Sequence, residues 1–367
     1  MFDALSAALF PSRRKSLSVP VLDGALKPNN LLEDAAVILE RPGLEDLALD
    51  GDGTLHAACG PTVLRVAPGG EATVAATFDR TVTAIAFLAD GTLAVGLGDR
   101  VVLDALGAAT HTIETVAGKA LSAVTALSAG PDGSLLICDG SAGRPCAEWS
   151  RDLLEAGRSG RLIGYDGASR TARTLAGGLA YAFGAMVDTK GRALVSESWA
   201  HRVSAAHEGP ATPVIADLPA YPARFALAPE GGFWLTMFAC RSQLVEFVLR
   251  ETDYRREMMR TIAPEYWVAP AFSSGADFLE PLQGGGVKQM GVLKPWAPSR
   301  SYGLVVRYDA DLRPLYSLHS RAGGHHHGIV AAAQRGSDLF VLSKGAGRIL
   351  RLAVPSFSQV GPAESTP

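Results

Sequence analysis

The amino-acid sequence predicts an all-β fold, a six-bladed β-propeller. One hairpin signature recurs six times, and each copy has two apolar runs on either side of a polar turn that contains glycine. The turn glycines of the first five copies recur at intervals of 38 to 58 residues: Gly53, Gly91, Gly133, Gly191 and Gly231. Propeller blades repeat every ~40–50 residues, and a single hairpin cannot bury its own faces. A β-sandwich is the alternative, but it does not require a sixfold repeat.

The copies can be read directly from the sequence. The fullest is GGLAYAFGAMVDTKGRALVSESWAHR (177–202). The others are LALDGDGTLHAAC (47–59), AIAFLADGTLAVGL (84–97), ALSAGPDGSLLICD (126–139), ALAPEGGFWLTMF (226–238) and AAAQRGSDLFVLS (331–343). Short β-rich runs between the copies, such as Val63–Val66 and Arg161–Tyr165, are predicted to supply the outer strands. Closing such strands into a ring leaves no long exposed edge.

The repeats also divide the chain into regions. We expect a lead-in segment over residues 1–40 that ends as a ring-closing strand, a propeller over 41–354, and a flexible tail over 355–367. The largest break in the repeat, 239–300, is predicted to be a helical and loop lid insertion, because long irregular segments inside a compact fold are usually functional. The alternative is a helix that patches the outside of the fifth blade. Its first part, Arg241–Ile262, has apolar residues at helical spacing.

Composition and charge exclude several classes of function. The 367 residues carry a net charge of −3 and no dense basic stripe, which argues against a nucleic-acid partner. The sequence contains no window of ~18 apolar residues, so no membrane span is predicted. A small molecule is therefore the expected partner, and nothing in the sequence assigns an oligomeric state.

The first residues and the cysteines bear on location. In MFDALSAALFPSRRKS (1–16) the positive charges follow the apolar part, the reverse of a signal peptide, so a short amphipathic helix is predicted instead. The four cysteines show no CxxC spacing. A reduced, cytoplasmic protein is the prediction that fits both observations.

Three runs resemble the strictosidine synthase-like proteins, which belong with the gluconolactonases and paraoxonases among the six-bladed propellers. The runs are TLAGGLAYAFGAMVDTKGRALVSESWAHRV, LPAYPARFALAPEGGFWL and GRSGRLIGYD. The similarity extends from about residue 40 to residue 352. It implies a small-molecule enzyme whose site lies at the central tunnel.

The resemblance also implies a calcium ion, which hydrolytic relatives hold at the top of the tunnel with acidic or Asn side chains about eight residues before each turn glycine. Glu45 matches the first such position and is a weak metal candidate. The other three positions are replaced by Thr125, by Phe183 where Asn is typical, and by Ala223–Arg224 where Asp-Asn is typical. We therefore expect no cofactor, the alternative being calcium regrouped around Glu45, Asp46 and Asp139.

Strictosidine synthase itself implies metal-independent condensation of an amine with an aldehyde by a sixth-blade glutamate. The corresponding run is AGGHHHGIVAAA (322–333), which has no Glu or Asp between His327 and Val330. Its histidines, His325, His326 and His327, precede the innermost strand of the last blade, and imidazoles can act as acids, bases or metal ligands. Alternate residues of a strand share a face, so only His325 and His327 could act together. The alternative is a polar loop whose histidines bond to the backbone.

Further candidates lie at the strand ends and in the cavity wall. Glu197 is part of a Glu-Ser-Trp-x-x-Arg run that matches a pattern recurring across the family it resembles, which implies structural bonds to Arg202 and nearby backbone, whereas Asp139 could be structural or functional. The residues predicted to bind substrate are Phe183, Tyr221, Thr125, Trp199, Phe238 and His326.

Three functional hypotheses follow. The first is hydrolysis of a lactone or ester-like bond, with His325 or His327 as base, Glu45 or Asp139 as its partner, and Arg224 receiving the developing negative charge. The second is a metal-independent condensation or lyase reaction of the strictosidine synthase type. The third is a propeller that binds a ligand or partner without catalysis, since a fold does not fix a function.

Overall fold

The structure is a computed structural model. It describes residues 19–103, 106, 111–130, 132–206, 210–275, 277, 279–281 and 300–355, together with the backbone of 288–289 and 292–293. The helix predicted over residues 1–16 and the tail from residue 356 onward lie outside the described residues.

Six four-stranded antiparallel sheets form a ring, which confirms the predicted six-bladed propeller. Strand β1 (Ala36–Glu40) comes first in the chain. Blade 1 contains β2 (Leu44–Leu49), β3 (Leu55–Cys59), β4 (Thr62–Val66) and β5 (Ala72–Thr77). Blade 2 contains β6 (Ala84–Phe87), β7 (Leu93–Gly96), β8 (Val101–Leu103) and β9 (His111–Ile113), and a small hairpin follows, β10 (Thr115–Val116) and β11 (Lys119–Ala120).

The remaining blades follow the same plan. Blade 3 contains β12 (Val124–Ala129), β13 (Leu135–Asp139), β14 (Gly160–Asp166) and β15 (Thr171–Leu179). Blade 4 contains β16 (Ala182–Val187), β17 (Ala193–Glu197), β18 (Arg202–Ala206) and β19 (Thr212–Ile215). Blade 5 contains β20 (Ala220–Leu227), β21 (Phe233–Cys240), β24 (Gly303–Tyr308) and β25 (Pro314–Ser320), with the hairpin β22 (Lys288–Gln289) and β23 (Val292–Leu293) inserted. Blade 6 contains β26 (Ile329–Arg335), β27 (Asp338–Ser343) and β28 (Arg348–Ala353), completed by β1.

The two ends of the described chain close the ring. Strand β1 pairs antiparallel with β28, so that Ala36 lies opposite Arg351 and Glu40 opposite Arg348. The innermost strands β2, β6, β12, β16, β20 and β26 contact one another in sequence around the axis, and β26 contacts β2 again. The apolar residues between neighbouring sheets form the core.

The repeated turn explains why the hairpins recur with so similar a sequence. The Oδ1 atom of Asp50 accepts the backbone N–H groups of Asp52 (3.1 Å) and Thr54 (2.8 Å), an Asx turn. Asp188 holds the corresponding turn of blade 4 in the same way. The five predicted turn glycines have φ between +70° and +97°, a backbone conformation that favours glycine.

Helices occur in the connections. Helix α1 (Trp149–Leu154) follows β13, while α2 (Gln243–Val248) and α3 (Thr252–Thr261) follow β21 in the predicted insertion. Short 3₁₀ helices span Gly24–Leu26, Cys146–Glu148, Ser198–Ala200 and Pro264–Tyr266. Leu154 of α1 packs with Val248, Met258 and Trp267 of the insertion, so these helices cover the ring where β13 and β21 end. In the described part of the chain, no helix has the length and apolar character needed to cross a membrane.

Candidate functional site

A small cavity lies on the propeller axis, at the end of the ring where the innermost strands begin. We call it the central cavity. Its volume is about 30 Å³, enough for about two water molecules. It is lined by Glu45, Thr83, Thr125, Cys146, Trp149, Tyr181, Phe183, Arg224, Phe272, Val330 and Lys344.

β-bulges coincide with the positions that line this cavity. In five blades the second residue of the innermost strand drops out of register with the neighbouring strand, and four of these residues line the cavity: Glu45, Thr125, Phe183 and Val330, but not Tyr221. In blade 5 the pairing shifts between Pro222 and Phe225, on either side of Arg224. A bulge bends the strand and re-aims a side chain, and bulges are frequent beside active sites. The eight-residue spacing between Glu45 and Gly53 therefore marks a cavity-facing position.

Glu45 and Lys344 form an ion pair in this cavity. The Nζ of Lys344 contacts the Oε2 of Glu45, and the two side chains are 27% and 21% exposed. The Nζ also lies 4.8 Å from the centre of the Phe272 ring, a cation–π geometry. A carboxylate and an ammonium group thus lie side by side, in reach of solvent and next to an apolar surface.

The walls of the central cavity are aromatic. The rings of Tyr181 and Phe183 meet edge to face, with centroids 5.8 Å apart. The rings of Trp149 and Phe272 lie 4.9 Å apart. Behind them, Tyr181 stacks on Trp199 at 4.3 Å. Such walls suit a flat or apolar ligand whose polar part faces the Glu45–Lys344 pair.

Of the residues predicted to bind substrate, Phe183 and Thr125 line the central cavity. Tyr221, Trp199 and Phe238 do not line it, and instead form a second layer around its aromatic walls. Trp199 lies on the 3₁₀ helix Ser198–Ala200 and Phe238 on β21, so neither belongs to an innermost strand, and Tyr221 packs against both of them. The Tyr221 hydroxyl is buried and has no hydrogen-bond partner among the described residues.

Arg224 borders the central cavity on the axis and is only 7% exposed. Its guanidinium donates to four backbone carbonyls, those of Thr125 (2.5 Å), Thr83 (2.9 Å), Glu45 (3.1 Å) and Val330 (3.4 Å). Its Nε lies 3.5 Å from Oδ1 of the buried Asp46, and its charge lies over the Phe183 ring at 5.4 Å. Because its Nη atoms are committed to the backbone, Arg224 is not placed to receive charge from a substrate, contrary to the sequence prediction.

The residues present do not fit a calcium ion. Calcium needs six to eight oxygen ligands, whereas here a guanidinium already binds the converging carbonyls and the Glu45 carboxylate contacts Lys344. Regrouping around Asp139 is not available either, because Asp139 is paired with Arg161. Across the described residues, no group of three or more His, Cys, Asp or Glu side chains could hold a metal.

The histidine triplet lies outside the central cavity, so the predicted grouping with Glu45 is corrected. His325 borders a larger depression of about 560 Å³, which we call the histidine recess. The recess is lined by Leu22, Pro28, Asn30, Glu33, Asp34, Tyr302, Arg321, Ala322, Gly323, Gly324 and His325. The His327 ring bonds through Nδ1 to Ser301 (2.7 Å) and through Nε2 to the Arg321 carbonyl (2.8 Å). Neither ring nitrogen of His327 is free to act as a base.

Glu33 explains why this loop is held as it is. Its carboxylate accepts the backbone N–H groups of His325 (3.0 Å) and His326 (3.3 Å) and the hydroxyl of Ser320. Burial lowers the pKa of both His326 and His327 below the ordinary value, which keeps their rings neutral at pH 7. The structure thus matches the alternative of a polar loop tied to the backbone.

Asp139 and Glu197 are structural ion pairs. Asp139 is fully buried and binds Nη2 of Arg161 at 2.6 Å, its direct neighbour across β13 and β14. Glu197 binds Nε of Arg202 at 2.7 Å across β17 and β18 and accepts the N–H of Ala180, which confirms the structural bonds predicted for it. Burial opposes ionisation of Glu197, but these hydrogen bonds lower its pKa. Asp139, offered as a catalytic partner, is thus committed to the scaffold.

Several cavity residues were missed because they lie on connections that do not repeat. Lys344 follows β27, Phe272 comes from the insertion, and Cys146 and Trp149 come from the loop after β13. Burial raises the pKa of the Cys146 thiol to about 12, so it stays protonated and is not a nucleophile.

Comparison with known proteins gives one related sequence of interest. Over 222 residues the chain is 27% identical to the protein strictosidine synthase-like 13 of Arabidopsis thaliana. The alignment covers 59% of this chain and 49% of that protein, so it spans about half the length of the relative. No family model matches the chain.

Solved structures share the fold at low identity. A gluconolactonase from Xanthomonas campestris superposes with a TM-score of 0.56 and 15% identity, covering 89% of this chain and 92% of that one. A PQQ-bound aldose sugar dehydrogenase from Streptomyces coelicolor gives a TM-score of 0.52 and 14% identity, covering 87% and 96%. The related sequence and the gluconolactonase match support the resemblance found in the sequence to strictosidine synthase-like and gluconolactonase propellers, whereas the dehydrogenase match shows the fold alone.

Proposed function

We propose that this strictosidine synthase-like propeller acts on a small molecule in the central cavity and hydrolyses a lactone or ester-like bond without a metal ion. The observation that carries the proposal is the contact between the Glu45 carboxylate and the Lys344 ammonium beside aromatic walls on the axis. Pockets of this kind, mostly apolar with a few convergent polar groups, are the usual sites for small molecules.

The pair supplies the two functions that hydrolysis needs. Glu45 acts as general base and takes one proton from a water molecule, whose oxygen attacks the carbonyl carbon. Lys344 stabilises the negative oxygen of the tetrahedral intermediate. When the carbon–oxygen bond of the ester breaks, the leaving alkoxide takes the proton back from Glu45. A lactone plus water thereby gives a hydroxy acid, and Glu45 returns to its ionised form.

The volume of the cavity limits how a substrate can enter. About 30 Å³ accommodates the attacking water but not a lactone ring, so a side chain must move on binding. Phe272 is the natural candidate, because it is only partly buried and comes from the insertion, whereas Phe183 lies on a bulged innermost strand. The aromatic walls favour an apolar or aromatic substrate over a sugar.

The first experiment is an activity screen of the wild-type protein. We would offer five- and six-membered lactones, aryl esters, and pairs of an amine with an aldehyde, and follow the products by mass spectrometry with and without EDTA. Hydrolysis that EDTA does not change is the expected result. Turnover of only the amine–aldehyde pairs would favour condensation and overturn the hydrolytic proposal.

The second experiment tests the pair itself. Glu45→Gln and Lys344→Met should each lower kcat/KM by about 10²–10⁴-fold, because each removes one function of the mechanism. Glu40→Gln is the matched control, since Glu40 forms a comparable ion pair with Arg348 (3.0 Å) at the outer strand of blade 6. Full activity in both cavity variants would refute the assigned roles.

A propeller that binds a ligand without catalysis is the second candidate. It is favoured by the commitment of Arg224 to the backbone, which leaves its Nη atoms unable to receive charge from a substrate. In that case a compound from the screen would shift the unfolding temperature without being converted, and Phe183→Ala would weaken its binding.

A further inference from the structure

We propose that Arg224 is a built-in cation that ties the six blades together on the axis, doing the structural work of a central metal ion. This inference does not depend on the proposed hydrolytic function. It follows from the contacts of one side chain with every blade of the ring.

The contacts of Arg224 are distributed around the whole ring. Its four carbonyl acceptors belong to blade 1, to the residue before β6 of blade 2, to blade 3 and to blade 6: Glu45, Thr83, Thr125 and Val330. Arg224 itself lies on β20 of blade 5, and the Phe183 ring under its charge lies on β16 of blade 4. One guanidinium therefore contacts all six blades.

The carbonyls need such a partner for a physical reason. Glu45, Thr125 and Val330 are residues at which the pairing of the innermost strand shifts, so they drop out of the regular hydrogen-bond ladder. A backbone carbonyl that is buried without a hydrogen bond is costly. The guanidinium offers five N–H groups in one plane and one positive charge, which suits several carbonyls that converge from different directions.

Asp46 lies beside Arg224 and links it to two blades. Its Oδ1 lies 3.5 Å from Nε of Arg224, while its oxygens also accept the backbone N–H groups of Leu47 (2.8 Å) and Ile85 (3.0 Å). Asp46 thus joins Arg224 to blades 1 and 2 at once. A buried cation is tolerated when it is paired and hydrogen-bonded. The Nη atoms of Arg224 donate to four carbonyls, whereas its buried Nε lies near Asp46 without a hydrogen-bond partner among the described residues.

Arg224 also separates two cavities along the axis. It lines the central cavity and, in addition, a second cavity of about 50 Å³ that is bordered by Asp46, Ile85, Ala126, Ser128 and Ala185. The side chain therefore interrupts the axis between the two.

The test compares Arg224→Ala with a matched variant, Arg307→Ala. Arg307 is also buried and donates to backbone carbonyls, but its acceptors Phe233, Tyr308 and Gly231 all belong to blade 5 or its turn. We expect Arg224→Ala to lower the unfolding temperature by about 5–10 °C and to raise amide hydrogen exchange in the innermost strands of all six blades. Arg307→Ala should raise exchange in blade 5 alone.

Chemical rescue and metal titration complete the test. Guanidinium at ~10 mM, too dilute to denature, should restore part of the lost stability of Arg224→Ala, whereas sodium chloride at the same concentration should not. The unfolding temperature of the wild type should not respond to EDTA or to millimolar calcium. Exchange confined to blade 5 in Arg224→Ala, or stabilisation of the wild type by calcium, would overturn the proposal. If Arg224→Ala does not fold, Arg224→Lys, which keeps the charge but not the planar fork, is measured by the same readouts, with the same two outcomes deciding.

Discussion

The central cavity and the histidine recess lie near the same end of the ring and differ in almost every respect. The recess is about 560 Å³ and is lined by His325 of the triplet, whereas the central cavity is about 30 Å³ and contains no histidine among its lining residues. By volume and residue type, the recess would be the first choice for an active site. Its carboxylate Glu33, however, already accepts the backbone N–H groups of His325 and His326 and the hydroxyl of Ser320. A side chain can act on a ligand only if one of its polar atoms is free to contact that ligand.

The largest effect expected from this comparison concerns catalysis. Glu45→Gln should lower kcat/KM by about 10²–10⁴-fold, whereas His325→Ala and His327→Ala should change it by less than about threefold, because only Glu45 faces the axis. Steady-state kinetics on the best substrate from the screen would measure all three. A histidine variant as inactive as Glu45→Gln would move the active site to the recess.

A second prediction concerns the carboxylates that the structure assigns to the scaffold. Asp139→Ala should lower the free energy of unfolding by about 3–5 kcal/mol, because it leaves the buried Arg161 without its counter-charge. Glu40→Ala removes an exposed pair and should cost less than about 1 kcal/mol. Urea unfolding of both variants measures the difference. Equal stabilities would mean that Asp139 is not a structural group.

The third prediction concerns how pH changes the stability of the region behind the histidine recess, through His319. His319 is fully buried between Tyr302 and Ser317, and burial, helped by Arg321, lowers its pKa from 6.5 to about 4. The unfolded chain takes up the proton more readily, so the stability present above pH 6.5 is lost as the pH falls toward 4, by roughly 3 kcal/mol.

The matched variant for this titration is His319→Gln, which keeps hydrogen-bonding groups but does not titrate. Its free energy of unfolding should depend less steeply on pH between 6.5 and 4 than that of the wild type. Urea unfolding at several pH values measures both. Parallel pH profiles would show that His319 does not contribute to acid sensitivity.

The smallest expected effect lies in the layer around the central cavity. Tyr221→Phe removes a hydroxyl that is buried without a partner among the described residues, so it should leave stability unchanged or raise it by up to about 1 kcal/mol. Activity should stay within about twofold. A large loss of activity would mean that the Tyr221 hydroxyl contacts the substrate and that Tyr221 lines the central cavity when the substrate is bound.

The fold could be predicted because it rests on a local signal that repeats. The Asx turn and its glycine fix the register of each hairpin, so a position counted back from Gly53, Gly133 or Gly191 reaches the axis in every case. The spacing within each hairpin is therefore enough to assign Glu45 and its counterparts in blades 3 and 4 to the central cavity.

The rest could not be predicted because it depends on connections without a repeat. Lys344 and Phe272 approach Glu45 from two segments far apart in the sequence, and no spacing rule joins them. The histidines were misplaced because the loop before β26 is shaped by Glu33, which belongs to the other end of the chain. Arg224 was placed correctly on the axis, but its predicted role of receiving negative charge from a substrate was wrong. Its hydrogen-bond acceptors are backbone carbonyls, which a sequence pattern does not reveal.

The pairing of β1 with β28 has a consequence for how the protein is made. Blade 6 joins residues 36–40 to residues 329–353, so its sheet cannot form until the ribosome has released nearly all of this sequence. Until then the first blade has no partner on one side, and its apolar surface remains uncovered. Ring formation is accordingly a late event, and a ribosome that stalls in the fifth blade would leave an open arc that is exposed to aggregation.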